Sequence, residues 1–282
     1  MTTVATALAD ARRRGVASLD AQLLLAHVLA TTRTRLIAHD ERVMTAAESM
    51  RWQDAVDRRL AGEPIAYLLG EKEFHGLVLA VDRDVLVPRP ETELLVDWGS
   101  EVIAGASEGS LGAGGGAVRV VDLGTGSGAI ALALKRLHPE SAVTATDVSP
   151  GALAVARRNA ERLGLPIELV ETSWWHGLQG RHFDIALSNP PYIAADDPHL
   201  DALRHEPAVA LTPGGDGLGA LRTVVAGAGA FLVPGGWLLL EHGFDQAVAV
   251  RSLLAGAGFE GLRTRRDLAG HERATGGRWP AF

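Results

Sequence analysis

Segments typical of β-strands alternate with segments typical of α-helices along residues 119–241. The predicted strands are short and apolar and lie at 119–123, 142–147, 167–171, 183–188 and 237–241. The predicted helices between them lie at 129–137, 151–163 and 218–232. Strands that alternate with helices of about ten or more residues form a mostly parallel sheet covered on both faces. The sequence therefore predicts an α/β domain, in which ligands bind at the carboxyl ends of the strands.

The first 70 residues have a different pattern, which predicts a small all-helical domain. Apolar residues recur at helical spacing, as in Leu24, Leu25 and Val28, and helix breakers are few. Nine arginines stand against eight acidic residues in this stretch. Such a balanced surface suits a protein partner better than a nucleic acid. We therefore predict a helical recognition domain at 1–72.

Two short strands are predicted between the helical domain and the α/β domain. Within Phe74 to Val87 large apolar residues recur at every second position, at Leu77, Leu79 and Val81 and, after a turn at Arg83-Asp84, at Val85 and Val87. Residues 73–88 are therefore predicted to form a β-hairpin connector, and residues 89–282 the α/β domain. Within that domain, the Gly- and Ser-rich composition of 105–116 predicts a flexible coil.

A glycine-rich loop follows the first predicted strand of the α/β domain. Residues 120–128 read Val-Val-Asp-Leu-Gly-Thr-Gly-Ser-Gly and lead from an apolar strand into a helix. This order places backbone N–H groups and a helix N-terminus against a ligand, and a Cβ would block the ligand's approach. The dinucleotide fingerprint requires a further glycine where Ala129 stands, which disfavours NAD. An ordinary tight turn is the alternative interpretation.

The second predicted strand ends at Asp147, roughly 20 residues beyond the glycine loop, where a carboxylate can accept hydrogen bonds from both hydroxyls of a ribose. Alternatively, Asp147 caps the helix that follows. Its position relative to the loop favours ribose binding. The loop and Asp147 together predict a cofactor site formed by Gly124, Thr125, Gly126, Ser127, Gly128 and Asp147.

The tetrapeptide Asn189-Pro190-Pro191-Tyr192 follows the predicted strand 183–188 and therefore emerges at the same edge of the sheet. Asn189 and Pro190 each precede a proline, so both are kept out of the α region, and the two rings remove two N–H donors. The resulting rigid corner is rich in acceptors: Asn189 Oδ1 and the Pro190 carbonyl can each accept one N–H of an NH2 group. The Tyr192 ring can lie against the planar face of that group. A proline-rich turn that only ends the strand is the alternative.

This corner addresses a particular chemical problem. The lone pair of an amide or aromatic amine is delocalised, so the nitrogen attacks a sulfonium methyl group only when it is held in line with it. Two acceptors on the hydrogens also favour the more positive nitrogen of the transition state. We therefore predict methyl transfer from S-adenosylmethionine to a planar nitrogen, with Asn189, Pro190 and Tyr192 as catalytic residues.

The composition excludes several other functions. With 34 acidic and 27 basic residues the formal charge is −7, which disfavours stable binding to nucleic acid. The absence of cysteine excludes disulfides and thiolate chemistry, and the ten histidines show no metal-ligand spacing, so no metal is predicted. The longest uncharged run, 224–240, is interrupted by Pro234-Gly235-Gly236, and the first 15 residues lack the order of a secretory signal. We therefore predict a cytoplasmic protein with no membrane partner.

Over nearly its whole length the sequence resembles the HemK family of protein-(glutamine-N5) methyltransferases. The motifs that carry the resemblance are Glu63-Pro64, Tyr67-Leu68, Gly70, Val87-Pro88-Arg89-Pro90-Glu91-Thr92-Glu93, 122–128, Ser188 to Tyr192, Glu206-Pro207 and Leu240-Glu241-His242-Gly243. The PRPETE and NPPY elements together are highly specific, whereas NPPY alone is shared with amino-group DNA and RNA methyltransferases. The resemblance implies a Rossmann-like class I methyltransferase fold. It also implies methylation of the glutamine in the Gly-Gly-Gln segment of class 1 peptide chain release factors, in translation termination.

The resemblance also implies that Asn189, Pro190, Pro191 and Tyr192 hold the glutamine, that Asn189 borders the cofactor as well, and that a tryptophan has a role. Trp174 would contact the adenine of S-adenosylmethionine, but the family usually has an acidic residue just before it and this chain has Ser173, so Trp175 is the alternative. Arg89 and Glu91 look like part of a lid beside the site, but they are interpreted as an exposed, solvated pair without a catalytic role. Three functional alternatives stay open: a ribosomal-protein glutamine methyltransferase, an N6-adenine nucleic-acid methyltransferase, and a non-catalytic binding module.

Overall fold

The computed structural model describes residues 1–105 and 116–281. The chain divides into two compact units, Met1–Glu71 and Lys72–Phe282. The coil predicted at 105–116 lies, apart from its two end residues, outside the described residues. In the part of the chain that the structure describes, no helix is both long enough and apolar enough to cross a membrane.

The first unit is helical. Its helices are α1 (Val4–Arg13), α2 (Ser18–Val28), α3 (Arg33–Ala38), α4 (Ala46–Leu60) and α5 (Ile65–Leu69). Thr3 and Thr45 start α1 and α4 with capping boxes, in which side chain and backbone satisfy each other's free groups. Leu24, Leu25 and Trp52 are buried in its hydrophobic core.

A two-stranded hairpin begins the second unit, with β1 (Glu71–Phe74) paired to β2 (Leu77–Ala80). Its turn is His75-Gly76. Arg83-Asp84 also form a turn, but it follows β2, so the prediction that it joins the two strands is wrong. Both turn residues have positive φ, 48° and 72°, as tight two-residue hairpin turns require. The pair gave little signal, because a non-glycine residue such as His75 is uncommon at positive φ.

The main element of the second unit is a seven-stranded sheet in the order β5-β4-β3-β6-β7-β9-β8. Its strands are β3 (Arg119–Leu123), β4 (Ala142–Asp147), β5 (Glu168–Glu171), β6 (Phe183–Ser188), β7 (Leu232–Glu241), β8 (Glu260–Arg266) and β9 (Glu272–Arg278). β3 to β7 are parallel, and β9 runs antiparallel to its two neighbours. The α/β fold with a mostly parallel sheet is thus confirmed. From β3 the chain adds β4 and β5 on one side of the sheet, and it then crosses to place β6 and β7 on the other side. Such folds bind ligands at this change of side, between β3 and β6.

Helices cover both faces of this sheet. They are α6 (Glu93–Gly105), α7 (Ala129–Leu137), α8 (Pro150–Leu163), α9 (Ala208–Leu211), α10 (Gly219–Ala228) and α11 (Ala247–Gly256), with 3-10 turns at Pro90–Thr92 and Pro198–Leu203. Residues of one strand alternate between two hydrophobic clusters: Ile185 and Leu187 lie in one, and Ala186 lies in the other. Burial on both faces explains why the apolar residues of this strand do not simply alternate with polar ones.

Two boundaries around α10 differ from the prediction of a helix at 218–232 and a strand at 237–241. The helix ends at Ala228, and β7 already begins at Leu232 and runs through Pro234-Gly235-Gly236. A Cβ on Gly229 would lie 2.5 Å from the Trp279 ring, so the glycine admits that ring where the chain turns. The pairing of β6 with β7 shifts register beside the Pro-Gly-Gly segment, which lets the strand continue past it.

Candidate active site

A cavity of about 640 Å³ opens at the carboxyl ends of β3, β4 and β6. Its volume is in the range of small-molecule and cofactor sites. Of the residues predicted for the site, those on the cavity wall are Gly124, Thr125, Gly126, Ser127, Asp147, Trp174, Asn189 and Pro191. The wall does not include Gly128, Pro190 or Tyr192. Among the described residues, no group of side chains is arranged to hold a metal ion.

The glycine loop uses its first backbone donors inside the protein. The N–H groups of Gly124 and Thr125 donate to the Thr146 carbonyl at 2.9 and 2.8 Å, and the N–H of Gly126 donates to the Asp147 carboxylate at 2.9 Å. The prediction that these N–H groups face a ligand is therefore wrong, because they join β3 to β4. Gly124 and Gly126 have φ of 75° and 55°, which glycine adopts without strain. The loop thus lets a ligand come close to the backbone, but its first three N–H groups are not free to bind a phosphate.

Two residues of the loop, Gly128 and Thr125, make contacts inside the protein. Gly128 has φ 84° at the start of α7, and a Cβ there would lie 3.0 Å from Leu132. Thr125 Oγ1 donates to Asp122 Oδ2 at 2.6 Å. Asp122 is fully buried, and burial raises the pKa of its carboxyl to about 7, with the nearby Asp147 adding to the rise.

This buried carboxyl predicts a pH dependence of folding. Its pKa is about 7 in the folded protein against 3.8 ordinarily, so the folded state must keep a proton that the unfolded chain releases. Its contribution to stability is complete below about pH 4 and is lost as the pH rises through about 7. Relative to Asp122→Asn, the wild type should lose on the order of 3 kcal/mol of unfolding free energy between about pH 5 and pH 8. Urea unfolding of both proteins across this range measures the difference, and parallel curves would contradict the prediction.

Asp147 faces the cavity from the end of β4. Its Oδ2 accepts from Gly126 N–H and its Oδ1 from Ser149 N–H, both at 2.9 Å, and each oxygen keeps a second lone pair. Burial raises the pKa of this carboxyl. The residue that caps α8 is Ser149, whose hydroxyl accepts from Ala152 N–H, so the alternative that Asp147 is the helix cap is wrong.

The two adjacent tryptophans have different surroundings. Trp174 has φ 51°, lies on the cavity wall, and is the side chain nearest to a Cβ built on Gly124, at 3.6 Å. Trp175 is buried, stacks on Phe231 with ring centroids 5.0 Å apart, and donates from Nε1 to the Val224 carbonyl at 3.0 Å. Trp175 therefore belongs to the core, and Trp174 is the ring that a ligand in the cavity can contact.

The Asn-Pro-Pro-Tyr corner starts where β6 ends. Ser188 Oγ donates to the Leu123 carbonyl at 2.7 Å and ties the end of β6 to β3. Asn189 Nδ2 donates to Thr92 Oγ1 at 3.1 Å, and Asn189 Oδ1 accepts no hydrogen bond from the described residues. Pro190 is buried behind the cavity wall, whereas Pro191 lies on the wall. The acceptor atom expected of Asn189 is thus the one that the protein leaves free.

Tyr192 turns toward a buried carboxylate that sequence reasoning did not assign to the site. Its hydroxyl donates to Glu241 Oε1 at 3.2 Å, and its ring packs against the second core cluster. Its backbone carbonyl accepts from Gln246 Nε2 at 2.9 Å. Burial raises the pKa of Glu241 to about 7, while hydroxyls of Thr92 and Tyr192 act in the opposite sense. Burial also raises the pKa of Tyr192.

The PRPETE segment is anchored to a distant part of the chain. Arg89 pairs with Glu206 at 2.5 Å, and the second oxygen of Glu206 accepts from Val87 N–H at 3.0 Å. The side chain of Glu206 is only 3% exposed, whereas that of Arg89 is 36% exposed. The interpretation of Arg89 and Glu91 as an exposed pair is therefore wrong, since the partner of Arg89 lies 117 positions away. Both Arg89 and Pro207 line the cavity.

Comparison with known proteins decides the family. A family model described as PrmC N-terminal domain matches residues 2–70, and one described as Methyltransferase small domain matches residues 95–225. The release factor glutamine methyltransferase of Burkholderia pseudomallei (strain K96243) is 48% identical over 285 residues, which is 98% of this chain and 97% of that protein. The chain belongs to the release factor glutamine methyltransferase family. Another member, from Bordetella pertussis (strain Tohama I), is 46% identical over 98% of this chain and 99% of its own length.

Solved structures agree on the fold of this family member. The hMettl16 catalytic domain in complex with the MAT2A 3'UTR hairpin 6 has a TM-score of 0.58 and 17% sequence identity, over 81% of this chain and 82% of that chain. At this identity the likeness concerns the fold alone. The Rossmann-like methyltransferase fold expected from the resemblance is thereby confirmed, and the chain is a methyltransferase by family.

Proposed function

We propose that this methyltransferase transfers a methyl group from S-adenosylmethionine to the side-chain nitrogen (N5) of the glutamine in the Gly-Gly-Gln segment of class 1 peptide chain release factors. The observation that carries the chemistry is the orientation of Asn189, whose Nδ2 is held by Thr92 while Oδ1 stays free to accept. The family relatives, named for release factors, support the choice of substrate.

The residues on the cavity wall fit S-adenosylmethionine. Asp147 offers two carboxylate oxygens to ribose hydroxyls, and Trp174 offers an aromatic face to adenine. Gly124 to Ser127 let the cofactor lie close to the backbone. Three of their N–H groups are already bonded within the protein, which suits a cofactor without phosphates. Gly128 supports this loop from behind by starting α7. Asn189 lies at the boundary between cofactor and substrate.

The chain's own residues orient the substrate. S-adenosylmethionine supplies, when bound, a methyl group on a positively charged sulfur and would leave as S-adenosylhomocysteine. The amide nitrogen loses one proton after the transfer, so no base is required beforehand. Asn189 Oδ1 and the Pro190 carbonyl accept the two N–H groups of the glutamine amide and aim its nitrogen. Both acceptors stabilise the nitrogen as it becomes more positive, so the stabilisation is larger in the transition state. Pro191 keeps the corner rigid, and Tyr192 anchors it through Glu241 and Gln246.

We assign recognition of the protein substrate to the helical domain at 1–72, the hairpin connector to 73–88 and methyl transfer to 89–282. A cytoplasmic location is the corresponding proposal. The balanced charge of the helical domain and the overall charge of −7 favour a protein over a nucleic acid as partner. A ribosomal-protein glutamine methyltransferase has the same chemistry and is the closest alternative, followed by an N6-adenine enzyme, whose substrate also presents an NH2 group.

Incubation with methyl-labelled S-adenosylmethionine separates these substrates. Purified release factor, ribosomal proteins and an adenine-containing duplex are offered in parallel, and label is expected on the release factor alone. A release factor with alanine in place of the Gly-Gly-Gln glutamine should stay unlabelled. Label that persists on this variant, or that appears on ribosomal protein or nucleic acid instead, would refute the proposed substrate. A binding module without activity would label none of them.

A further inference from the structure

Arg89 is the cationic side chain of the cavity wall. Among the described residues that line the cavity, no other has a positively charged side chain, and the two other charged residues, Asp84 and Asp147, are acidic. The guanidinium has five N–H donors. Only one of its nitrogens, Nη2, has a hydrogen-bond partner among the described residues, namely Glu206 Oε1 at 2.5 Å. Arg89 therefore keeps donors that a ligand in the cavity can use.

Glu206 fixes Arg89 in this position. The side chain of Glu206 is only 3% exposed, and its second oxygen accepts from Val87 N–H at 3.0 Å. Because both oxygens are bonded, the carboxylate has a fixed place behind the wall. The Arg89 side chain is 36% exposed, so the guanidinium is anchored on one side and accessible on the other. An arginine that is held in this way loses less conformational entropy when it binds a ligand.

Arg89 lies at the end of the cavity that contains Asn189. The Arg89 carbonyl accepts from Thr92 N–H at 3.1 Å, and Thr92 Oγ1 accepts from Asn189 Nδ2, also at 3.1 Å. Asp147 ends β4 and Trp174 follows β5, so both belong to other strands of the sheet. Arg89 is thus a neighbour of the methyl-transfer corner rather than of the residues proposed to hold adenosine.

S-adenosylmethionine presents a carboxylate at this end. Its sulfur carries the adenosine, the methyl group and the methionyl chain, which ends in an ammonium and a carboxylate. With the ribose at Asp147 and the methyl group at Asn189, the methionyl chain begins at the Asn189 end of the cavity. A carboxylate that leaves water requires donors or a cation. The N–H groups of Gly124, Thr125 and Gly126 are already bonded within the protein, whereas the planar fork of an arginine matches a carboxylate.

We propose that Arg89 binds the methionyl carboxylate of S-adenosylmethionine and that Glu206 is the positioning residue that holds the guanidinium at the cavity. The inference rests on the cofactor of the proposed function. It does not depend on the identity of the protein substrate. Glu206 has no need to touch the cofactor, because it acts through Arg89.

Calorimetric titration with two ligands tests this role without turnover. S-adenosylmethionine and its decarboxylated form differ only in the carboxylate, so the ratio of their affinities measures its recognition. The wild type should bind S-adenosylmethionine about tenfold or more tightly, the effect of a charge-assisted hydrogen bond. Arg89→Gln should bring the two affinities within about twofold of each other by weakening S-adenosylmethionine alone. Equal affinities in the wild type, or equal weakening of both ligands in Arg89→Gln, would overturn the proposal.

A double variant separates binding from folding. Arg89→Gln leaves the buried Glu206 carboxylate without its cation, which destabilises the protein. Arg89→Gln/Glu206→Gln removes both charges, and it should lose the preference for the carboxylate to the same extent. A double variant that keeps the tenfold preference would show that Arg89 does not bind the carboxylate.

Arg119→Gln is the matched control variant. Arg119 is also a partly exposed arginine that pairs with a buried carboxylate, since its side chain is 46% exposed and that of Asp184 is 2% exposed. It lines a different cavity, at the start of β3. Both affinities should stay within about twofold of wild type in this variant. An equal loss of the preference in Arg119→Gln and Arg89→Gln would contradict a specific role for Arg89.

The same titrations distinguish the possible failures. If Arg89→Gln leaves both affinities unchanged and raises KM for the release factor, Arg89 contacts the protein substrate and the proposal is wrong. A wild type that binds neither ligand would refute the proposed cofactor. A wild type that binds S-adenosylmethionine with the expected preference but methylates no release factor would refute only the proposed substrate and would support the role of Arg89.

Discussion

Asn189→Ala should lower kcat by about 100- to 1000-fold, the loss typical when one group that stabilises a transition state is removed. The alanine removes the free acceptor Oδ1, so the substrate nitrogen is no longer aimed. The affinity for S-adenosylmethionine should remain within about threefold, because Asp147, Trp174 and the glycine loop stay in place. Labelled methyl transfer measures kcat, and calorimetric titration measures cofactor binding.

Asn189→Asp is the informative companion to this variant. It keeps an acceptor on the cavity side but replaces Nδ2 by an oxygen, which cannot donate to Thr92 Oγ1. Part of the lost activity should return, with less than wild-type kcat. Wild-type turnover in Asn189→Ala would contradict the mechanism, and a loss of cofactor binding equal to the loss of turnover would make Asn189 a cofactor ligand first.

Sequence patterns located the strands that position the site. The predicted segments 119–123, 142–147 and 183–188 coincide with β3, β4 and β6, since each is short, rich in apolar residues or threonine, and bounded by turn residues. All three are buried on both faces, and such strands carry the strongest signal. The residues that follow them on the cavity wall, Gly124 to Ser127, Asp147 and Asn189, could therefore be named in advance.

The antiparallel edge of the sheet gave no comparable signal. β8 is a partly exposed strand with four charged residues in seven, and β9 contains Gly276 and Gly277, which have low strand propensity. A Cβ on Gly276 would lie 2.8 Å from the Leu238 carbonyl and 3.1 Å from Trp98, so close packing requires glycine there. That requirement depends on residues far away in the sequence, and no local pattern reveals it.

The residues that support the site could not be predicted either, because their partners are also distant in the sequence. Thr92, Glu206 and Glu241 all stand in quoted motifs, but their partners lie 49 to 119 positions away. A motif shows which residues occur, whereas the pairing of Glu206 with Arg89 depends on where two separate loops meet. The signal available in the sequence was the presence of carboxylates within these motifs, because a carboxylate requires partners if the fold buries it.

Asn159 provides the largest expected effect on stability. It lies in α8 with no exposed surface, and its side chain forms three hydrogen bonds. Oδ1 accepts from Ala80 N–H at 2.7 Å, and Nδ2 donates to the carbonyls of Ala80 and Ser127 at 3.0 and 2.9 Å. The side chain thus joins the hairpin strand β2 to the glycine loop. No sequence pattern pointed to it, since asparagine inside a helix is usually exposed.

Asn159→Leu should therefore lower the free energy of unfolding by about 3 to 5 kcal/mol, because it leaves one backbone N–H and two carbonyls buried without these partners. The free Ser127 carbonyl should also loosen the glycine loop and weaken S-adenosylmethionine binding by about tenfold. Arg158→Ala is the matched control: Arg158 is the preceding residue of α8 and bonds to Asp82 just after β2, but the pair is exposed, so its loss should cost less than about 1 kcal/mol. Urea unfolding and calorimetric titration measure the two effects. Similar costs for both variants would show that α8 holds the hairpin by surface contacts, whereas a large cost confined to Asn159 with unchanged cofactor affinity would limit its role to the hairpin.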